Sequence, residues 1–281
     1  MSKTDAAAAK TDNVGLSVAI GGLGTIGRAV AAALDRGIAG MRLVAVSGRD
    51  TAKAEKFLSG LTARPKIVPL AQLGELADIV IECAPAAFMR EIAEPALRHG
   101  RKVFIISVGA LLDAPDLIEL ASQYGAQIIV PTGALIGLDA VTAAAEGTIR
   151  AVRMRTRKPV RGLLGAPYLT GKGIDIDGIS EPVKVFEGTA REAALGFPAN
   201  LNVGAALGLA GVGPDRTIIE IWADPGLERN THQIEVDADS ASFSMTIGNI
   251  PSAGNPRTGK ITALSVIAAL RKLTSPLRIG T

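Results

Sequence analysis

The sequence predicts an α/β protein, a Rossmann-type doubly wound parallel sheet followed by a second, α+β domain for substrate binding and dimerisation. Three observations lead there. The apolar run Leu16 to Ile20 passes into Gly22-Leu23-Gly24-Thr25-Ile26-Gly27 and then into an alanine-rich helical pattern from Arg28 to Leu34. Strand, glycine turn and helix in that order are what a dinucleotide phosphate site requires. As far as Val130, near-continuous apolar runs alternate with helical stretches, the mark of parallel strands covered on both faces. Beyond Gly133 the strands alternate apolar and polar residues, as in a sheet with one wet face.

In chain order, a second strand follows at Met41 to Ser47 and a helix at Thr51 to Leu58, with Asp50 or Thr51 as its N-cap. Strands are expected at Lys66 to Val68, Ala77 to Cys83, Lys102 to Ser107 and Gln127 to Val130, and helices at Ala87 to Arg98 and Asp113 to Tyr124. Ala140 to Ala145 is a short helix. In the strand Ile149 to Arg157, Arg153, Arg155 and Arg157 share one face, and Val152, Met154 and Thr156 the other. Further strands are expected at Thr217 to Trp222, His232 to Val236 and Phe243 to Ile247, with helices at Glu192 to Leu195 and Asn202 to Leu209. Ile261 to Leu273 is an amphipathic helix expected to return to the first domain. The expected division is a disordered tail at 1–13, a dinucleotide-binding domain at 14–133, an α+β domain at 134–254 and the returning helix within 255–281.

Composition narrows the chemistry. The 281 residues are 48% hydrophobic but only 3% aromatic, so the core is aliphatic and stacking platforms for nucleic acid are missing. The net charge of +3 is spread along the chain, without the basic block of a nucleic-acid footprint. One cysteine, Cys83, and two distant histidines, His99 and His232, give no disulfide framework and little for a metal. No segment resembles a signal peptide or a membrane span, so a cytoplasmic protein is expected.

The glycine turn gives the first group of candidates. Gly22 allows the sharp turn, Gly24 keeps side-chain atoms off a pyrophosphate, and Gly27 lets the helix pack closely, with the Thr25 and Ile26 amides at its N-terminus. About twenty residues on, where an NAD site usually carries a carboxylate for the ribose hydroxyls, the chain has Ser47-Gly48-Arg49. A hydroxyl and a guanidinium suit a 2′-phosphate, so NADP is expected to be accepted and preferred over NAD. Ser107, at the end of a strand on the carboxyl edge, is expected to line the nicotinamide pocket; Glu82 and Cys83 are expected behind it.

His232 is the best acid–base candidate, because its ordinary pKa lies near neutrality. A rate that follows one His232 ionisation near neutrality is the corresponding expectation. Asn230, two residues earlier, shares its strand face. Lys158 and Arg161, expected on one loop, are cations that could hold a carboxylate, although a solvated loop explains Arg161 as well. His99, before Gly100, reads as a helix C-cap.

Taken together, several stretches resemble the L-aspartate dehydrogenases, small NAD(P)-dependent enzymes linked to iminoaspartate and NAD biosynthesis. They are the glycine turn, Ser107-Val108-Gly109-Ala110-Leu111, Gly133-Ala134-Leu135-Ile136-Gly137-Leu138-Asp139, Arg157-Lys158-Pro159, Gly165-Ala166-Pro167, Phe197-Pro198-Ala199-Asn200-Leu201-Asn202-Val203, Asn230-Thr231-His232 and Gly254-Asn255-Pro256-Arg257-Thr258. The resemblance implies that His232 is the active-site residue and that Ile136 and Asn202 contact the cofactor. Members usually carry alanine at the Ile136 position, which implies a backbone contact there. It further implies reversible oxidation of L-aspartate, a small dicarboxylic amino acid, to iminosuccinate, then oxaloacetate and ammonia. Separately, the alternating second-domain strands, with the Arg153, Arg155 and Arg157 face, suggest an open sheet paired across a homodimer. Two other readings fit the residues alone: a dehydrogenase of another small amino or imino acid, and a non-catalytic NAD(P)-binding regulator.

Overall fold

The computed structural model describes residues 15–198, 201–252 and 254–281. The expected tail, Met1 to Asn13, lies outside the described residues, as do Ala199 and Asn200. Six strands build the first sheet: β1 (Leu16–Gly21), β2 (Met41–Ser47), β3 (Lys66–Ile67), β4 (Ile79–Glu82), β5 (Lys102–Ile105) and β6 (Gln127–Ile129). All pairs are parallel, in the order β3-β2-β1-β4-β5-β6. The order reverses beside β1, which opens a crevice at the carboxyl ends of β1 and β4, where such sheets take their ligands.

Between the strands run α1 (Thr25–Arg36), α2 (Thr51–Leu58), α3 (Leu73–Leu76), α4 (Met89–Arg98), α5 (Val108–Leu112) and α6 (Asp116–Gln123). Alternate residues of each strand feed opposite cores. Ala19, Val80, Val103 and Ile105 pack with α3, α4 and α6 through Leu73, Ile92, Leu97 and Leu117. Val18, Ile20, Ile79 and Phe104 pack with α1 through Val30 and Leu34. The latter core also takes in Val266 and Leu270 of the last helix, which packs on α1. The Asp50 side chain caps α2 by accepting from the Lys53 amide, and that bond holds its carboxyl below the ordinary value.

After α7 (Leu138–Ala145) come β7 (Ile149–Pro159), α8 (Pro167–Lys172), β8 (Val183–Thr189), α9 (Ala190–Gly196), α10 (Asn202–Ala210), β9 (Thr217–Asp224), β10 (Thr231–Ala238) and β11 (Ser242–Gly248). The second sheet runs β11-β10-β7-β9-β8, with β7 and β9 parallel and the other pairs antiparallel. Its inner face, including Val152, Met154, Ile219, Ile221, Ile234 and Val236, packs on α7, α9 and α10. Its outer face carries Arg153, Arg155 and Arg157, with Arg155 2.8 Å from Glu220 and Arg157 2.7 Å from Asp224. A two-stranded ladder, β12 (Pro251–Ser252) with β13 (Asn255–Gly259), leads into α11 (Lys260–Thr274). Among the described residues, no helix is long and apolar enough to cross a membrane.

Several boundaries differ from the sequence reading. The helix expected at Asp113 to Tyr124 begins only after Pro115, as α6, and a separate short helix, α5, precedes it at Val108–Leu112. α8 and β8 carry no clear periodicity and escaped the reading. β7 extends to Pro159, so Lys158 lies in a strand and not on a loop.

Candidate active site

The glycine turn is built as its residues demand. Gly22 has φ +105°, where other residues are strained, and its amide donates to the Ser47 carbonyl at 2.9 Å. A Cβ on Gly27 would lie 1.9 Å from the Gly22 carbonyl oxygen, so only glycine lets α1 approach β1 this closely. Gly24 is the opposite case: a Cβ there would meet no atom of the described residues within 4 Å. Gly24 caps α1 without a side-chain bond, and the first turn holds no acidic residue. An uncapped, carboxylate-free helix N-terminus beside an open glycine fits the pyrophosphate of a dinucleotide. Arg28 braces the turn, its Nε donating to the Leu23 carbonyl. At the end of β2, Ser47 is buried, and Arg49, two residues on, is exposed.

A cavity of about 140 Å³ opens where the two sheets meet. One wall is apolar, from Ile26 of α1, Ile105 and Ile106 at the end of β5, and Val108. The other carries Lys158 and His232 from the second sheet and Asn230 just before β10, with Asn202 of α10 also in the lining. His232 and Lys158 are each 2% exposed. His232 pairs with Thr156 across the β7–β10 ladder, and its Nδ1 lies 2.8 Å from the fully buried Thr156 Oγ1. That bond engages one ring nitrogen and fixes the ring plane.

Burial depresses both basic groups. His232 is brought down to about 3, first by desolvation and then by the charge of Lys158. Lys158 is brought down to about 8 by desolvation. The ionisation nearest neutrality in this cavity therefore belongs to Lys158, not to His232 as the sequence suggested. Two buried basic groups side by side do not both carry protons.

The His232 depression also sets an acid limit on the fold. Between about pH 6.5 and 3 the unfolded chain binds a proton there that the native chain refuses, so this contribution to stability falls as pH drops. At pH 5 the loss from this one group is about 2 kcal/mol. Urea midpoints at pH 7 and pH 5 measure it, and His232→Gln is expected to lack that part of the fall.

Three expected residues take other places. Ser107 does not line the cavity; its hydroxyl and amide both donate to the Glu82 carboxylate, at 3.0 and 2.8 Å. Glu82, wholly buried, also accepts from the Ile106 amide. Desolvation raises its pKa against those bonds, and the arrangement holds the backbone that presents Ile106 and Val108. Ile136 is absent from the lining, where Gly133 and Ala134 stand instead. Arg161 points its guanidinium to the Glu228 carbonyl at 3.1 Å. His99 Nδ1 lies 2.8 Å from the Pro95 carbonyl oxygen at the end of α4. Burial pushes the Cys83 thiol well up.

Asn249 is the residue the sequence reading missed. It is buried in the lining, its Nδ2 donates to the Ala134 carbonyl at 2.9 Å, and its Oδ1 meets no partner among the described residues. An asparagine in Gly248-Asn249-Ile250 carries no local signal; only the pairing of its amide with the Asn230 carbonyl brings it here. Asn202 joins the two halves, its Oδ1 accepting from the Gly109 amide at 2.9 Å.

Comparison with known proteins agrees with this geometry. Residues 139–273 match the family model described as aspartate dehydrogenase, C-terminal, and residues 22–131 that described as homoserine dehydrogenase, NAD binding domain. The chain is 62% identical over 266 residues to an L-aspartate dehydrogenase of Bradyrhizobium diazoefficiens, covering 95% of this chain and 94% of that one. It is 57% identical over 267 residues to L-aspartate dehydrogenase 3 of Bordetella bronchiseptica, covering 95% and 98%. In fold it resembles the crystal structure of aspartate dehydrogenase from Thermotoga maritima, with a TM-score of 0.67, 22% identity, and 94% and 99% of the two chains covered.

Proposed function

The chain belongs to the aspartate dehydrogenase family, and from that premise we propose that it oxidises L-aspartate to iminosuccinate, which water converts to oxaloacetate and ammonia, all reversibly. The observation that carries the reading is the single cavity shared by the carboxyl edge of the first sheet and by Lys158 and His232 of the second, with Asn230 just before β10. A bound nicotinamide dinucleotide supplies the two-electron acceptor.

The chain's own residues do the rest. Gly22, Gly24 and Gly27 with the Thr25 and Ile26 amides hold the pyrophosphate, and Ile26, Ile106 and Val108 give the nicotinamide end an apolar wall. Asn202 holds α5 against α10 beside it. Asn230 and Lys158 contact the dicarboxylic substrate. His232 works as a neutral imidazole: Thr156 holds Nδ1, which leaves Nε2 to position the water that attacks the imine carbon. Burial of this wall keeps bulk water from the reacting carbon.

Purified protein with L-aspartate and NAD or NADP, followed at 340 nm, tests the reading. Turnover with L-aspartate well above other small amino acids is expected. A better rate on another amino acid would replace the substrate, and cofactor binding without turnover on any would favour a regulator.

Cofactor choice is a separate prediction. NADP is accepted and preferred, because Arg49 is an exposed guanidinium near the end of β2 and Asp50 is occupied as the α2 cap. Arg49→Ala is expected to lower kcat/KM for NADP about tenfold and leave that for NAD nearly unchanged. An NAD preference untouched by the change would overturn it.

The outer face of the second sheet, with Arg153, Arg155 and Arg157 among Glu220 and Glu235, matches itself in charge and supports a homodimer; sedimentation of the purified chain reads that directly.

A further inference from the structure

We infer that Lys158 is the group that takes the proton from the substrate's amino nitrogen, with His232 neutral beside it. The inference rests on the amino-acid oxidation proposed above and assigns one of its steps. An amino acid arrives as an ammonium. Its Cα–H bond departs with both electrons only once the nitrogen has a lone pair to form the C=N bond, so a base must reach that nitrogen.

Among the described residues, two titratable side chains line the cavity, Lys158 and His232. They are neighbours by construction. Thr156 and Lys158 are alternate residues of β7 on one sheet face, and His232 lies across the ladder from Thr156. Charging the ring would set a second cation against the lysine in a place closed to water. The pair therefore carries one proton at most, and the lysine is the member that holds it, as the values near 3 and near 8 express. With its pKa near 8, Lys158 has base and acid forms both present at working pH, which suits proton transfer in either direction.

Among the described residues, the neighbouring carboxylates of other elements do not undo this. On β9 its ladder neighbour is Ala223, while Asp224 is paired with Arg157 on the other face. Glu82 of β4 is held by the Ile106 and Ser107 amides. Neither carboxylate lines the cavity. The remaining polar wall, Thr132, Asn202, Asn230, Asn249, Thr258 and Thr262, does not titrate.

The step balances. One N–H bond of the substrate ammonium breaks, its electrons stay on nitrogen, and the proton joins the Lys158 amine. The Cα–H hydride then leaves to the nicotinamide dinucleotide, and the nitrogen lone pair closes the C=N bond as a protonated imine. In reductive amination Lys158 returns the proton.

Lys158→Arg is the deciding variant, because arginine keeps the cation but does not deprotonate near pH 8. Its kcat on L-aspartate is expected to fall roughly 10²–10⁴-fold, with NAD(P)H affinity by fluorescence titration and cooperative thermal unfolding unchanged. Lys158→Ala is expected to recover turnover with added methylamine, in proportion to the free base, a response no structural role gives. The wild-type kcat/KM is expected to rise through an ionisation near 8, and His232→Ala to keep that limb at its lower rate. Wild-type kcat in Lys158→Arg, or loss of the limb in His232→Ala, would overturn the assignment. If neither lysine variant folds, the two pH profiles decide it. Absence of wild-type turnover on L-aspartate would instead sink the substrate reading.

Discussion

His232→Ala is expected to lower turnover with L-aspartate, or with oxaloacetate and ammonia, by roughly 10²–10⁴-fold, the worth of one positioned catalytic group. Cofactor affinity should hardly change, because the glycine turn belongs to another sheet and another core. Removing the ring leaves a buried cavity and takes the partner from the buried Thr156 hydroxyl, so the variant is expected to unfold at a lower temperature than the parent but still cooperatively. Asn230→Ala should behave differently. If Asn230 holds a carboxylate equally in ground and transition states, KM rises while kcat stays near the parent value. The comparison is made by steady-state kinetics with both cofactors, and a His232→Ala enzyme with full kcat would make His232 a structural partner of Thr156.

Gly27→Ala is expected to weaken NAD(P)H binding by more than roughly 100-fold and to lower the unfolding temperature. The added Cβ would stand 1.9 Å from the Gly22 carbonyl oxygen, so α1 must withdraw from β1. Overpacking of this kind costs about 1–3 kcal/mol. The same withdrawal carries the Thr25 and Ile26 amides off the anion, and hydrogen bonds to a charged group are worth about 1.5–3 kcal/mol each. Gly24→Ala separates the two effects. Its Cβ touches no atom of the described residues within 4 Å, so stability is retained while affinity still falls, because the new methyl occupies the approach of the phosphate. Fluorescence titration and thermal unfolding read both variants, and parental affinity in Gly24→Ala would remove the phosphate site from this turn.

Local pattern carried much of the fold. β2 and α2 have the bounds read from the sequence, since each is a short periodic run between turn residues. Alternation in β7 put Thr156 and the arginines on opposite faces correctly. The pattern broke where tertiary contact outweighs propensity. β8 forms as an edge strand only because β9 offers a ladder.

What the sequence by itself determined is the glycine turn and the parallel sheet it opens, because each rests on residue types and spacings within one segment. Lys158 looked like a loop cation; β7 running two residues further buried it and moved its ionisation toward neutrality. Ser107 looked like a cavity residue, and Glu82, distant in sequence, turned it away. The Thr156 partner of His232, the orphan acceptor on Asn249 and the low affinity of His232 for a proton depend on strand register and burial. Those were decided by tertiary structure, because desolvation and hydrogen-bond pairing are set by what packs around a group and not by its neighbours along the chain.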